Sequence, residues 1–377
     1  MARLANLIFL ILGAASAFVA SPGSAHAQSP QASAPASDDA RFEAEVHELA
    51  PDIYVLSRAP SWRSPVQGNV LVIVNDEDVV VADGGFPSHV ENVVAAIARI
   101  TDKPVSTVLM THWHGDHNLG HAVYRRHYPD VRIVAQENTR AFMERGATDY
   151  ITRTQQADVA ATADYYRGLV DAARAEGAPP EVTAFYEDAA AGAERELAEY
   201  RRGGVNYPDE TFSERLVLHR GARRIEFLYL GRANTAGDAL VWLPAERILA
   251  AGDIVVAPTP YGFGSYPREW AETLRRIIAL DYDILVPGHG EIQRDGGYVT
   301  ILAEMMDSIS DQAERAAAAG ADSEEAIRER IDFSAYEAQI AGDDPLLRHL
   351  FDIWFKTPIS RSLLRQARGE PVGSFED

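Results

Sequence analysis

Three histidines and an aspartate fall within Thr111-His112-Trp113-His114-Gly115-Asp116-His117, directly behind the apolar run Val105–Met110. That is a poor core segment and a good metal cradle, because neutral imidazole and carboxylate are the donors a borderline cation such as zinc prefers. If the apolar run is a β-strand, alternation sends His112 and His114 to the same side. The turn that follows can then carry Asp116 and His117 to a second centre. A polar loop with incidental histidines is the competing reading. It fits badly with three of only 11 histidines packed into one turn.

The elements that must position this cluster are short. Ile53–Leu56, Asn69–Val74, Val79–Ala82 and Val105–Met110 read as strands, with Asn75-Asp76-Glu77-Asp78 as a hairpin-like turn. Val90, Val93, Val94, Ile97 and Ile100 recur at helical spacing and predict a helix over Val90–Ile100. Further strands are predicted at Val131–Ala135, Leu216–His219, Arg224–Tyr229, Leu240–Leu243 and Ile248–Ala251, with a strand-like Ile284–Val286 beyond them. Between Thr139 and Asn206 strand signals vanish. There the Ala- and Glu-rich stretches Gln155–Ala175 and Pro180–Tyr200 predict a helical insertion, with Pro180 suited to a helix's first turn. Such an insertion serves as a wall or lid over a site, or as a dimer contact. After Gly297 the pattern is helical again, through Ala319, Ser323–Ile331 and Leu346–Arg368. By periodicity alone the chain is mixed α and β.

The pattern His-x-His-x-Asp-His resembles the signature of the metallo-β-lactamase-fold hydrolases, and further motifs follow in register. Upstream lies Val79-Val80-Val81-Ala82-Asp83-Gly84-Gly85; downstream lie Gly231-Arg232-Ala233-Asn234-Thr235-Ala236-Gly237-Asp238, Ala251-Gly252-Asp253 and Val286-Pro287-Gly288-His289-Gly290. The resemblance runs from Ile53 to Ile292 and implies an α/β protein of αββα sandwich architecture. It also implies one or two zinc ions. The first would be held at the positions of His112, His114 and Asn234, the second at Asp116, His117 and His289, with Asp253 bridging. Asn234 departs from the pattern, which has histidine there, and a carboxamide oxygen is a weaker zinc ligand than imidazole. His121 and His219 are conceivable substitutes, although the position of His121 on the following helix points to a surface or packing role. Asp83 and Asp238 are placed either to orient metal-bound histidines or to form turns. Trp62, Trp113 and the aromatics of Pro258–Pro267 are placed to wall an apolar pocket, or to pack in the core.

The activity implied is metal-assisted hydrolysis. A bound metal lowers the pKa of its water from 15.7 to about 7, so hydroxide can attack a carbonyl carbon while Asp116 or Asp253 orients it. Esters, thioesters, lactones and β-lactams fit equally. The chain has no cysteine and no Gly-x-Ser-x-Gly elbow, so neither a thiol nor a serine route is supported. A di-iron redox protein of the same fold would need a flavin module that does not follow here. A non-catalytic, metal-dependent binding protein is the alternative that Asn234 raises.

With 46% apolar and 24% charged residues, the 377-residue chain is globular in composition. Its net charge of −21 argues against nucleic acid and anionic membranes as partners and leaves a small-molecule substrate. Residues 1–27 read as a signal peptide: Arg3, the apolar Leu7–Ala20, then Ala25-His26-Ala27 before Gln28. An apolar stretch of 14 residues is short of the roughly 20 that span a bilayer, so the mature chain is expected without an anchor, in the periplasm. The expected organisation is signal peptide 1–27, flexible linker 28–41, the hydrolase domain 42–296 with its insertion at about 139–206, and a helical region 297–377.

Overall fold

The computed structural model describes residues 42–372; the expected leader and the whole of the expected linker lie outside the described residues. Among these, the strands form two sheets. The seven-stranded sheet runs β1 (Glu45–Ala50), β2 (Ile53–Ser57), β3 (Val70–Val74), β4 (Val79–Ala82), β5 (Val105–Met110), β6 (Arg132–Gln136) and β7 (Glu210–Phe212), in that spatial order. Its first four strands pair antiparallel and β4 to β7 pair parallel. The five-stranded sheet is ordered β12 (Ile284–Val286), β11 (Ile248–Ala250), β10 (Ala239–Leu243), β9 (Arg223–Tyr229), β8 (Arg215–Arg220). It is antiparallel except where β11 meets β12.

Strand alternation explains the layering. On β3, Leu71 and Ile73 point between the sheets, where they join Val80, Leu109, Phe227, Val241 and Ile248 in one apolar cluster. Val70, Val72 and Val74 point the other way, onto Val90, Val93 and Ile97 of the Pro87–Ile100 helix and Val123 of the His121–His127 helix. Beyond the five-stranded sheet, Leu240, Trp242, Leu249 and Leu285 meet the helices Pro267–Ile278, Gly297–Ala318 and Thr357–Arg368. The order is helix, sheet, sheet, helix: the expected αββα sandwich. Both faces of β3, β4 and β5 are covered, which is why these strands read as continuous apolar runs.

Two strands escaped the sequence. Glu45–Ala50 is an edge strand with a largely exposed, polar pattern, and Glu210–Phe212 is only three residues long. The insertion folds as the helices Val159–Ala175 and Pro180–Arg202, packed on each other through Leu169, Val170, Val182 and Tyr186. The predicted helix at Leu346–Arg368 is divided into Pro345–Leu350, a π-helical turn Phe351–Lys356, and Thr357–Arg368. Pro358 has no N–H to offer the Trp354 carbonyl four residues back. That carbonyl instead accepts from Gly262 N at 2.8 Å, tying the C-terminal region to the Pro258–Pro267 loop. Among the described residues, no helix is long and apolar enough to cross a membrane.

His89, on the Pro87–Ile100 helix, is fully buried, and burial pushes its imidazole down to about 4. An unfolded histidine titrates near 6.5, so His89 favours the folded state fully above that value and progressively less as the pH falls toward 4. The contribution at stake is about 3 kcal/mol. In denaturant titrations between pH 7 and 4, His89→Leu should flatten the pH dependence of stability by up to one proton relative to the parent. An unchanged slope would show that His89 does not titrate in this window.

Candidate metal centre

The candidate residues are delivered by strand ends that share one edge of the sandwich. β5 ends at Met110, and His112 and His114 follow directly; the one-turn helix Gly115–Asn118 then carries Asp116 and His117. β11 ends at Ala250 ahead of the 3-10 turn Gly252–Ile254, which presents Asp253. Its parallel neighbour β12 ends at Val286, ahead of His289. Ligand sites at the carboxyl ends of parallel strands follow from this arrangement of loops.

The buried Asp253 carboxylate lies at the centre. Its Oδ2 is 3.5 Å from His112 Nε2 and 3.9 Å from His114 Nδ1, while its Oδ1 is 3.2 Å from His117 Nε2 and 3.5 Å from His289 Nε2. Asp116 Oδ2 closes the second group, 3.1 Å from His289 Nε2 and 3.7 Å from His117 Nε2. Two donor groups result, His112 with His114 and Asp253, and Asp116 with His117 and His289. Each oxygen of Asp253 faces a different one. Glycine is required beside it: a Cβ on Gly288 would stand 2.1 Å from Asp253 Oδ1.

Hydrogen bonds behind the imidazoles fix their tautomers. His117 Nδ1 donates to Asp83 Oδ2 at 2.9 Å, and His289 Nδ1 donates to the Gln67 carbonyl at 2.9 Å. Thr111 Oγ1 donates to Asp83 Oδ2, which leaves it as acceptor for His112 Nδ1 at 2.9 Å. All three Nε2 atoms therefore point lone pairs inward, and His117 Nε2 and His289 Nε2 lie only 3.1 Å apart. His112 Nε2 and both Asp253 oxygens are buried without any hydrogen-bond partner. Converging lone pairs and orphaned carboxylate oxygens are what a divalent cation would satisfy, so the residues present fit one or two zinc ions.

The electrostatics mark the same cluster: burial opposes charge on His117, yet Asp253, Asp83 and Asp116 hold its imidazole well above the ordinary value, so without a metal ion a proton takes that place. Although burial opposes charge on Asp116, His117 and His289 hold its carboxyl below the usual range, and His117, His289 and His112 do the same for Asp253. Burial and the neighbouring His117 push His112 down to about 4, keeping it neutral.

Asn234 lies in the loop between β9 and β10, fully buried. Its Nδ2 donates to the Tyr261 carbonyl at 2.7 Å, which leaves Oδ1 as the free end, buried and unpartnered. Of the two aspartates expected behind the ligands, Asp83 takes that place. Asp238 forms the turn: it accepts from Thr235 N and Thr235 Oγ1, each at 2.7 Å, and burial pushes its carboxyl up to about 7. His121 is buried, with its ring packed on Gly84 and Tyr124, and belongs to neither donor group. His219 is exposed on β8, opposite Arg224, away from both. Trp113 is a core residue stacked on Phe142 at 5.4 Å, whereas Trp62 does line a cavity and the Tyr261 ring lies 5.2 Å from His289.

Sequence reasoning missed the contributions of the insertion and the C-terminal region. Tyr150 Oη accepts from Gly115 N at 2.6 Å, bracing the turn that carries Asp116. Trp354 packs edge-to-face on Tyr261 at 5.3 Å, and Phe185 on Trp354 at 5.9 Å. The available signal was the pairs Tyr165-Tyr166 and Phe185-Tyr186, large rings inside otherwise Ala- and Glu-rich helices.

An αββα sandwich with two histidine–aspartate groups facing one carboxylate is the frame of a two-metal centre. The Metallo-beta-lactamase superfamily profile matches residues 63–289, well over half of the chain, and the protein belongs to that superfamily. It is 31% identical over 98 residues to a metallo-beta-lactamase type 2 of Bacillus cereus, covering 24% of this chain and 38% of that one. A linear primary-alkylsulfatase of Pseudomonas sp. aligns over 231 residues at 22% identity, 56% of this chain and 39% of the relative. The chain thus spans about a third of the length of the curated relatives it matches. A solved metallo-beta-lactamase from Pontibacter korlensis superposes with a TM-score of 0.49 at 18% identity, over 70% of this chain and 99% of that one.

Asp83 is buried, and it orients His117 directly and His112 through Thr111. Asp83→Ala should weaken metal affinity about 10–100-fold while the fold persists. Metal content after dialysis against a competing chelator, read beside circular dichroism, tests this, and full retention of metal would remove Asp83 from the supporting role.

Proposed function

We propose that this chain is an exported zinc-dependent hydrolase acting on a carbonyl substrate: an ester, thioester, lactone or β-lactam. The observation that carries the reading is Asp253, whose two oxygens each face a separate set of inward-pointing donors. When bound, the metal would supply Lewis acidity and a water acidified toward neutral pH. His112, His114 and Asp253, with the Asn234 oxygen, would hold one ion; Asp116, His117, His289 and Asp253 would hold the other.

The remaining chemistry belongs to the side chains. Asp116 and His114 are the two members that reach solvent, at 22% side-chain exposure, while His112, His117, His289 and Asp253 are sealed at 1% or less. Substrate therefore approaches from the side of Asp116 and His114. Asp116 is held ionised by its histidines, so it can only accept a hydrogen bond, and it is placed to orient an incoming water. Asp253 is too deeply buried for that and serves as the fixed bridge. The leader-like residues 1–27 support export, and the periplasm follows from them.

Protein purified without chelator should contain metal and turn over at least one member of a panel of carbonyl substrates, with activity lost on chelation and restored by zinc. An alkyl sulfate belongs in that panel, because the alkylsulfatase aligns over the longest stretch of the relatives described. Metal binding without turnover of any member would favour the non-catalytic binding protein.

The carboxamide at Asn234 makes the two groups unequal. Titration of metal-free protein with zinc should show one tight and one weaker step, and Asn234→His should tighten the weaker step about tenfold or more. Two equal tight steps in the unmodified protein would mean that another residue completes the first group.

A further inference from the structure

Next to the metal centre lies a cavity of about 150 Å³ that no step above uses. That is the size of an apolar cavity able to admit a benzene-sized guest, roughly 150 Å³. Three separate parts of the chain build it: Trp62 from the loop after β2, Tyr165, Tyr166 and Phe185 from the insertion, and Trp354 from the π-helical turn. Tyr261 stands between the two, its ring tilted against His289 at 5.2 Å and edge-to-face with Trp354 at 5.3 Å.

The rings stand at steep angles to one another: 60° between Tyr165 and Tyr166, 72° between Phe185 and Trp354. Ring faces are thus turned in several directions around the space, as in a box. One carboxyl group lines it, Glu196, which accepts from Ser64 Oγ at 2.8 Å. Burial raises the Glu196 carboxyl above its ordinary value, the bond from Ser64 opposes this, and the negative charge of Asp116 raises it further. Arg63 next door is committed to Asp188 at 3.6 Å. Aromatic faces carry negative potential, and with a half-buried carboxylate among them the cavity is electrostatically a socket for a cation. An alkyl chain would satisfy the rings but offer Glu196 nothing beyond its bond from Ser64.

We propose that this cavity is a substrate subsite for an ammonium group, preferentially a quaternary one, carried a short distance from the hydrolysed bond. The chemical class is a cationic ester or amide of the choline type. The subsite concerns binding; its connection to a hydrolysed bond rests on the hydrolase reading above.

The test compares choline with its uncharged carbon isostere, 3,3-dimethylbutan-1-ol, on the full-length protein by calorimetric titration and by the fluorescence of the cavity tryptophans Trp62 and Trp354. Choline should bind at least about tenfold more tightly, and Glu196→Gln, checked for folding by circular dichroism, should narrow that ratio. Equal or tighter binding of the neutral alcohol would overturn the cation subsite and leave an apolar one. Neither compound has a bond to hydrolyse, so this result is independent of turnover. The kcat/KM ratio for acetylcholine over 3,3-dimethylbutyl acetate then tests the coupling of the two sites. A ratio well above one supports it, and a ratio near one with choline still bound would detach the cavity from the reaction. Absence of turnover with either ester, despite choline binding, would count against the hydrolase reading alone.

Discussion

Three imidazoles whose outer nitrogens are tied down leave their inner lone pairs nowhere to go but toward one another and toward a buried carboxylate. His112, His117 and His289 are each held at Nδ1, by Thr111, Asp83 and the Gln67 carbonyl. The converging nitrogens and the Asp253 oxygens form a pocket of electron density that a cation resolves. Much else serves this constraint. Asn69 staples the Pro287–Gly290 turn through two 2.9 Å bonds from its side chain, and Gly288 leaves room for Asp253 beside that turn. Asp83 adopts φ 66°, a left-handed backbone uncommon for a non-glycine residue, as it grips Thr111 and His117.

The sandwich was legible because its central strands are apolar on both faces, so that Val70–Val74, Val79–Ala82 and Val105–Met110 stand out with boundaries within a residue. The edge strands were not, since Glu45–Ala50 has one side in water and Glu210–Phe212 is too short to show a period. Within the centre, the six histidines and aspartates were readable from residue type and motif register, and the structure gathers them. What spacing cannot convey is the environment of a single ring. Trp113 and His121 sit beside readable residues yet point into the packing of the outer helices. Asp83 and Asp238 look alike in sequence, and only the path of the chain decides which of them meets a histidine.

The aromatic cavity was illegible for a different reason: no local pattern can announce that residues near 62, 165, 185 and 354 will share a space. Trp62 and the Tyr261 loop come from the sandwich, the tyrosines from the insertion, and Trp354 from the C-terminal helices. The insertion and the C-terminal region, whose roles stay open in the sequence, meet each other there through Tyr186 Oη and His349 Nε2 at 2.7 Å. Additions on opposite flanks of the fold thus join over the same edge of the sandwich.

The bond from Gly262 N to the Trp354 carbonyl has a bearing on how the molecule comes into being. In order of synthesis the last of the gathered donors is His289, and the stretch that delivers Trp354 emerges well after it. The sandwich and its donor cluster are complete as sequence while one wall over them is still missing. A chain threaded out from its N-terminus presents these donors before the residues that pack beside them. Pro358, by denying the helix one hydrogen bond, supplies the latch for that final piece.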